Sequence, residues 1–181
     1  AMKKAGKIII MGSAGIGAGN VTPLAEFNVW QDAEAAKIVT EAGLGYVMFV
    51  GWDACLGDSM LNPQEIAKIR DSGPLGKFAI DCNKNLLEMN RERFGDDYLD
   101  MADPSAMAAA LYPDCIECCG KYYCEVDISG GPCYGALIVD VNNVTGKEPN
   151  VYICSKLYAE KYKDYIYKTL RVKQEGGCCR P

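Results

Sequence analysis

The stretch KIIIMGSAGIGAGNVTPLAEFN, residues 7–28, decides the fold of this chain. It opens with a continuous apolar run at 7–11, which is typical of a strand buried on both faces. A glycine-rich segment follows at once, and Pro23 excludes an immediate helix. Loops after the strands of an open parallel sheet lie where such sheets bind their ligands. The stretch therefore predicts an α/β fold with a ligand site at its first loop.

The segment that follows repeats the alternation of strand and helix. Asp32 is a candidate helix N-cap, the helical pattern ends at Gly43, and YVMFVG at 46–51 is a second strand of the two-sided type. Strand, helix and strand in this order form a right-handed parallel crossover unit. We therefore predict an open, mostly parallel sheet with helices on both faces, with one edge next to the first strand left unpaired.

The remaining sequence predicts a single domain over residues 1–174. Helices are expected at 62–73, at 74–94 and from Asp103. After Pro113 the strand patterns YYCEVDI, YGALIVDV and NVYIC predict a short antiparallel extension, and a closing amphipathic helix is expected at 155–170. Residues 175–181 are expected to be a disordered tail.

Composition excludes several classes of function. The formal net charge is −5 and no basic cluster exceeds the opening MKK, which argues against nucleic acid or an anionic membrane as partner. No apolar run has the length of a membrane span, and the N-terminus lacks the pattern of a signal peptide, so a cytoplasmic protein is expected. The ten cysteines fit a reducing compartment, and CIECC at 115–119 has an irregular spacing that leaves structural zinc or a redox pair as weaker alternatives. Because the chain has no histidine, the commonest acid-base group is not available.

The glycine-rich segment does not match a dinucleotide-binding fingerprint well. Gly15 and Gly17 have the required spacing, but Asn20 stands where the third glycine belongs. Nucleotide-phosphate binding therefore remains a weak alternative. Asn20, Glu26 and Asn28 instead offer hydrogen bonds to hydroxyl groups, which suits a sugar.

The run from Met11 to Ala36 resembles the inosine-uridine preferring nucleoside hydrolases. Their pattern here is Met-Gly-Gly, a variable stretch, Gly-Asn-x-Thr-Pro-x-Ala-Glu-Phe-Asn and an Asp-x-Glu-Ala-Ala helix, with Ser13 replacing the second glycine in this chain. DPSAMAAALYP at 103–113 resembles the family's His-Asp-Pro helix start. The similarity extends over about residues 7–170 and corresponds to the C-terminal half of the usual enzyme.

This resemblance implies N-glycosidic cleavage of ribonucleosides to ribose and free base. In the family a Ca²⁺ ion binds the ribose hydroxyls and the attacking water, and calcium suits this role because it accepts many oxygen ligands. The resemblance assigns substrate binding to six residues and metal binding to one carboxylate. The substrate-binding set is Met11, Asn20, Glu26, Phe27, Asn28 and Trp52, and the metal ligand is Asp103.

Two departures limit what the resemblance carries over. The family's Asp-x-Asp-Pro-Gly-x-Asp-Asp cluster, which supplies most calcium ligands and the water-activating base, does not occur in these 181 residues. Ala102 stands where many members have the histidine that protonates the leaving base. We therefore assign no catalytic residue within this chain and expect the isolated chain to be inactive or nearly so.

Each candidate residue also has a structural interpretation. Asp103 before Pro104 is an ordinary N-cap and N1 pair, Glu26 and Asn28 could be surface and turn residues, and Trp52 could stack a base or fill the core. Two functions are compared: a nucleoside hydrolase relative that is completed by the missing N-terminal half, and a non-catalytic remnant of that fold. Such a remnant would bind a ribosyl ligand weakly or dock another protein. As partners we expect a homo-oligomer or association with a complementary N-terminal half.

Overall fold

A central sheet of four strands organises the chain. A computed structural model describes residues 4–95 and 97–172. The strands of the sheet follow the order β1, β2, β6, β3, with β1 at Ile8–Met11, β2 at Val47–Val50, β6 at Val151–Leu157 and β3 at Ile116–Tyr122. β1, β2 and β6 are parallel, and β3 is antiparallel to β6. The prediction of a mostly parallel α/β sheet is confirmed.

Helices cover both faces of this sheet. They are α1 (Phe27–Gln31), α2 (Ala33–Glu41), α3 (Pro63–Arg70), α4 (Pro74–Asp81), α5 (Lys84–Phe94), α6 (Ala102–Leu111) and α7 (Ala159–Thr169). Short 3₁₀ turns lie at Trp52–Cys55, Gly57–Ser59 and Pro113–Cys115.

Strand β2 carries the core because every one of its residues is buried. Val47 and Phe49 pack on one face against α1, α2 and a small hairpin, whereas Met48 and Val50 pack on the other face with α3, α4, α6 and α7. This alternation follows from the two-residue period of a strand. The two apolar layers hold the loops at the carboxyl ends of β1 and β2 in place.

The C-terminal part differs from the expected antiparallel extension in one strand. NVYIC does not belong to that extension, because β6 inserts into the main sheet parallel to β2. The expected extension is reduced to a separate hairpin of β4 (Cys124–Val126) and β5 (Leu137–Val139), while β3 forms the antiparallel edge of the main sheet. A buried apolar strand pattern alone does not distinguish these partners.

The helix expected over 74–94 is two helices. α4 ends at Asp81, and the side-chain amide of Asn83 donates to the carbonyl of Ala79 over 2.8 Å. Asparagine side chains compete in this way with the backbone bonds of a helix. The break places the start of α5 beside the candidate ligand loop.

The β1 edge agrees with the predicted open edge. Within residues 4–95 and 97–172, β1 pairs only with β2, and all four of its residues are partly exposed. None of the helices in the described ranges combines the length and the apolar character needed to cross a membrane. The tail predicted at 175–181 lies outside the described residues.

The hydroxyl of Tyr162 ties α7 to the segment that enters α6. Its side chain is fully buried and its hydroxyl donates to the carbonyl of Met101 over 2.8 Å. Tyr162→Phe should lower the free energy of unfolding by about 1 kcal/mol, because the carbonyl of Met101 loses one of its two donors and keeps only the backbone N–H of Ser105. Tyr158→Phe, at a side chain that is 46% exposed, is the matched control and should change it by less than about 0.5 kcal/mol. Urea denaturation of both variants measures the difference, and equal effects would contradict the role of this bond.

Candidate active site

The loop after β1 turns back on itself through Ser13. This residue is buried and has a φ of 74°, in the left-handed region that favours glycine. Its hydroxyl accepts a hydrogen bond from the backbone N–H of Gly15 over 3.1 Å. The position therefore explains the glycine of the family motif, and in this chain the serine hydroxyl partly compensates for the unfavourable backbone conformation.

Glu26 joins this loop to helix α1. Its side chain is only 2% exposed, and one carboxylate oxygen accepts from the backbone N–H groups of Ser13 at 3.0 Å and Val29 at 3.3 Å. The other oxygen accepts from the N–H of Asn28 at 2.9 Å. Burial raises the pKa of Glu26, and the three N–H donors oppose that change. Glu26 is thus the N-cap of α1 and not a surface carboxylate.

The other polar residues of the motif surround this carboxylate. The side-chain oxygen of Asn20 accepts from the N–H of Phe27 over 2.9 Å, which fixes the loop at its far end. The side-chain amide of Asn28 lies 3.0 Å from the sulfur of Met11. Asn28 is exposed and lies within α1, so it is not a turn residue, and Phe27 is 51% exposed.

One cavity of about 270 Å³ collects all of the residues that the sequence assigned to a site. The sequence-predicted lining residues are Met11, Asn20, Glu26, Phe27, Asn28, Trp52, Ala102 and Asp103. The cavity lies at the carboxyl ends of β1 and β2, where an open parallel sheet binds ligands. The assignment of individual roles to these residues remains a prediction.

The start of α6 forms the opposite wall. Asp103 is exposed and lies in the first turn, while Met101 is the N-cap residue. The interpretation of Asp103 as an N-cap is therefore wrong, because the helix begins at Ala102, two residues earlier than an Asp103 N-cap with Pro104 at N1 implies. An aspartate in the first turn still interacts favourably with the helix dipole. Asp103 and Glu26 face the same cavity, and the charge of Asp103 contributes to the raised pKa of Glu26.

Trp52 is fixed in the cavity wall by a carboxylate that sequence reasoning missed. The indole N–H of Trp52 donates to Asp100 over 2.9 Å, and the side-chain amide of Asn90 donates to the other oxygen of Asp100. Asp100 and Trp52 are each only 6% exposed, and the guanidinium of Arg93 lies 4.6 Å from the centre of the indole ring. Trp52 therefore combines a core contact with a place in the cavity lining.

Five more lining residues were not predicted as part of the site, namely Asn83, Leu86, Asp100, Met101 and Pro104. Asn83 and Leu86 come from the junction of α4 and α5, which the sequence pattern read as continuous helix, and Asp100 lies in the segment before α6. A polar Asn in the middle of a predicted helix was the only signal for this junction.

The described residues do not by themselves form a calcium site. Ca²⁺ takes six to eight oxygen ligands. No group of three or more His, Cys, Asp or Glu side chains within 4–95 and 97–172 is arranged to hold a metal ion. Asp103 is a single exposed carboxylate, so a site that includes it needs ligands from elsewhere.

Comparison with known proteins agrees with this geometry. The sequence model of the inosine-uridine preferring nucleoside hydrolases matches residues 1–164. The pyrimidine-specific ribonucleoside hydrolase RihB of Escherichia coli O1:K1 is 35% identical over 153 residues, which are 84% of this chain and 48% of the relative. The chain belongs to the inosine-uridine preferring nucleoside hydrolase family.

Solved structures share the fold. The plant nucleoside hydrolase PpNRh1 has a TM-score of 0.84 at 25% identity, covering 95% of this chain and 55% of that enzyme. A purine-preferring ribonucleoside hydrolase from Gardnerella vaginalis has a TM-score of 0.77 at 26% identity, covering 91% and 52%. The chain thus spans about half the length of several proteins that it matches.

The backbone of Ser13 gives a stability test of the loop. Ser13→Gly and Ser13→Ala both remove the hydroxyl, but only glycine relieves the left-handed conformation. The glycine variant should therefore be more stable than the alanine variant by roughly 0.5–1 kcal/mol, after the greater freedom of unfolded glycine is subtracted. Ser105, which is also fully buried but lies within α6, is the control, and there alanine should be the more stable by about 1 kcal/mol. Thermal denaturation measures these differences. Equal stabilities of Ser13→Ala and Ser13→Gly would contradict the left-handed backbone conformation at this position.

Proposed function

We propose that this chain is the ribose-binding part of a ribonucleoside hydrolase, which cleaves the N-glycosidic bond to give ribose and free base. The observation that carries the proposal is the convergence of Asn20, Glu26, Asn28 and Asp103 on one cavity. Membership of the family supports the reaction class, and relatives named for pyrimidine and for purine nucleosides leave the base open.

The polar groups of the cavity suit a sugar with neighbouring hydroxyls. The Glu26 carboxylate is already fixed by three backbone N–H groups, so it would accept from a hydroxyl without losing freedom of its own. Phe27, Met11 and Trp52 supply apolar surface beside these groups, as ligand cavities commonly do. In this proposal the ribose lies between the N-terminus of α1 and the start of α6.

A metal ion belongs to the chemistry of the family, and we propose that it is Ca²⁺ with Asp103 as one ligand. A bound cation of this kind eases the ionisation of a coordinated water. The remaining oxygen ligands and the base that activates the water would come from a polypeptide carrying the aspartate cluster that residues 1–181 lack. Among the described residues β1 pairs only with β2, which supports such an association, because an unpaired strand edge readily takes up another strand.

Self-association and a role in purine salvage are further parts of this proposal. The eight free thiols among the described residues support the cytoplasm as its location. A non-catalytic protein that keeps the ribosyl cavity is the second candidate, and it is favoured by Ala102, where many members of the family have a catalytic histidine.

Binding of ribose tests the cavity directly. NMR titration with ribose and with inosine, each in the presence of Ca²⁺, should show binding to the intact chain. Asn28→Ala should weaken it about fivefold, the effect of one neutral hydrogen bond, and Glu26→Ala about tenfold or more, because its acceptor is charged. Circular dichroism of Glu26→Ala checks that α1 persists, and Asn142→Ala at an exposed loop position is the control. No binding of either ligand, or identical affinities in all variants, would overturn the binding role.

Hydrolysis tests the incomplete catalytic machinery. The 181-residue chain should release p-nitrophenol from p-nitrophenyl riboside at the background rate, because the carboxylates expected to activate water do not occur in its sequence. A colorimetric assay with and without Ca²⁺ measures this. Turnover like that of a complete nucleoside hydrolase would show that the missing aspartates are dispensable.

A further inference from the structure

Asp53 is a half-buried aspartate that the proposed function does not use. It follows strand β2 and Trp52, in the turn at Trp52–Cys55. One of its oxygens accepts from the backbone N–H of Ile16 over 3.0 Å, whereas the other oxygen is buried without a hydrogen-bond partner among the described residues. Burying a carboxylate oxygen without a hydrogen bond lowers the stability of the fold, so such an oxygen indicates a role beyond stability.

Glycines from two loops make room for this side chain. A Cβ atom added to Gly15 would lie 2.0 Å from the unpaired oxygen, and one added to Gly51 would lie 2.4 Å from it. Gly17 is also close, since its Cβ would lie 3.4 Å from the Cβ of Asp53. These glycines therefore accommodate a carboxylate of the chain itself. This explains a glycine-rich loop that does not match a nucleotide-binding fingerprint.

The hydrogen bond between Ile16 and Asp53 ties the middle of the glycine-rich loop to the turn after β2. This loop connects two residues that line the cavity. Met11 and Asn20 lie at the ends of this loop, and Ser13 within it donates to Glu26. A second bond joins the same segments, because the N–H of Trp52 donates to the carbonyl of Ser13 over 2.9 Å. We propose that the ionised carboxylate of Asp53 is a positioning group that holds the glycine loop, and with it Asn20 and Glu26, in the geometry of the ribose cavity.

The titration of Asp53 provides a distinctive readout. Burial raises the pKa of Asp53 to about 6, and the hydrogen bond from the backbone N–H of Ile16 only partly opposes this. The pKa of Asp53 is lower in the unfolded chain than in the folded chain. Between that lower pKa and about 6, Asp53 is protonated in the folded chain and ionised in the unfolded chain, so the free energy of unfolding falls as the pH rises through this window. The ionised carboxylate is thus costly for the fold but strengthens the bond to Ile16.

Other titratable groups share this region. Electrostatic interactions link Asp53 with the thiols of Cys55 and Cys154, and Cys55 also interacts with Glu26 and Asp100. Burial raises the pKa of both thiols, that of Cys154 to about 12, so they stay neutral near pH 6. Burial also raises the pKa of Glu26, so the test must separate Glu26 from Asp53.

Hydrogen exchange of the loop amides, measured by mass spectrometry on the intact chain without ligand, provides this separation. After correction for intrinsic rates, protection of residues 12–20 in the wild type should fall about fivefold as the pH is lowered through about 6. Asp53→Asn should show the low protection at every pH, and its melting temperature at pH 7 should equal or exceed that of the wild type. Asp58→Asn, at an exposed aspartate in the neighbouring turn, should behave like the wild type.

Two results would overturn the proposal. The first is a protection of residues 12–20 in the wild type that does not change through pH 6. The second is a protection in Asp53→Asn that still falls as it does in the wild type, which would assign the titration to Glu26. This inference rests on the proposed function for its ribose step, in which Asp53→Asn should weaken ribose binding several-fold. The exchange experiment contains no ribose. If the wild type binds no ribose but the protection of its loop still falls through about pH 6, the proposed function is contradicted and the positioning role of Asp53 is supported.

Discussion

The buried carboxylate of Glu26 is the constraint on which the site depends. It accepts three backbone N–H groups from two different segments, so the turn after β1 and the first turn of α1 share one anchor. A buried acid is costly unless such donors surround it. The donors come from a serine with a left-handed backbone and from a helix N-terminus, which place the polar trio of the motif around a single cavity. In the function that we propose, the same side chain both caps α1 and accepts a hydrogen bond from the ligand.

The parallel core of the fold could be predicted from local patterns. The runs at 7–11 and 46–51 are strands with apolar residues on both sides, and their parallel pairing followed from the helix between them. The position of β6 could not be predicted in this way. Its apolar pattern fits an antiparallel hairpin as well as a central parallel strand, and only its packing between β2 and β3 distinguishes the two.

The sequence predicted most of the residues of the candidate site but missed two aspartates in loops. The family resemblance named seven residues, and all of them line one cavity. Asp53 and Asp100 were missed because an aspartate in a loop has no periodic signal, and each owes its importance to residues far away in the sequence, Ile16 and Trp52 respectively. The N-cap of α6 was misplaced by two residues because an Asp-Pro pair predicts a cap wherever it occurs.

The placement of β6 between β2 and β3 also determines how this chain can fold. β2 ends at residue 50, and its neighbour on that side begins at residue 151, so about a hundred residues must be made before the buried strand acquires its second partner. Contacts of such long range are slow to form. During synthesis the apolar edge of β2 therefore stays open until residues 151–157 have left the ribosome. In that interval the nascent chain is open to aggregation, and chaperones would have to shield it.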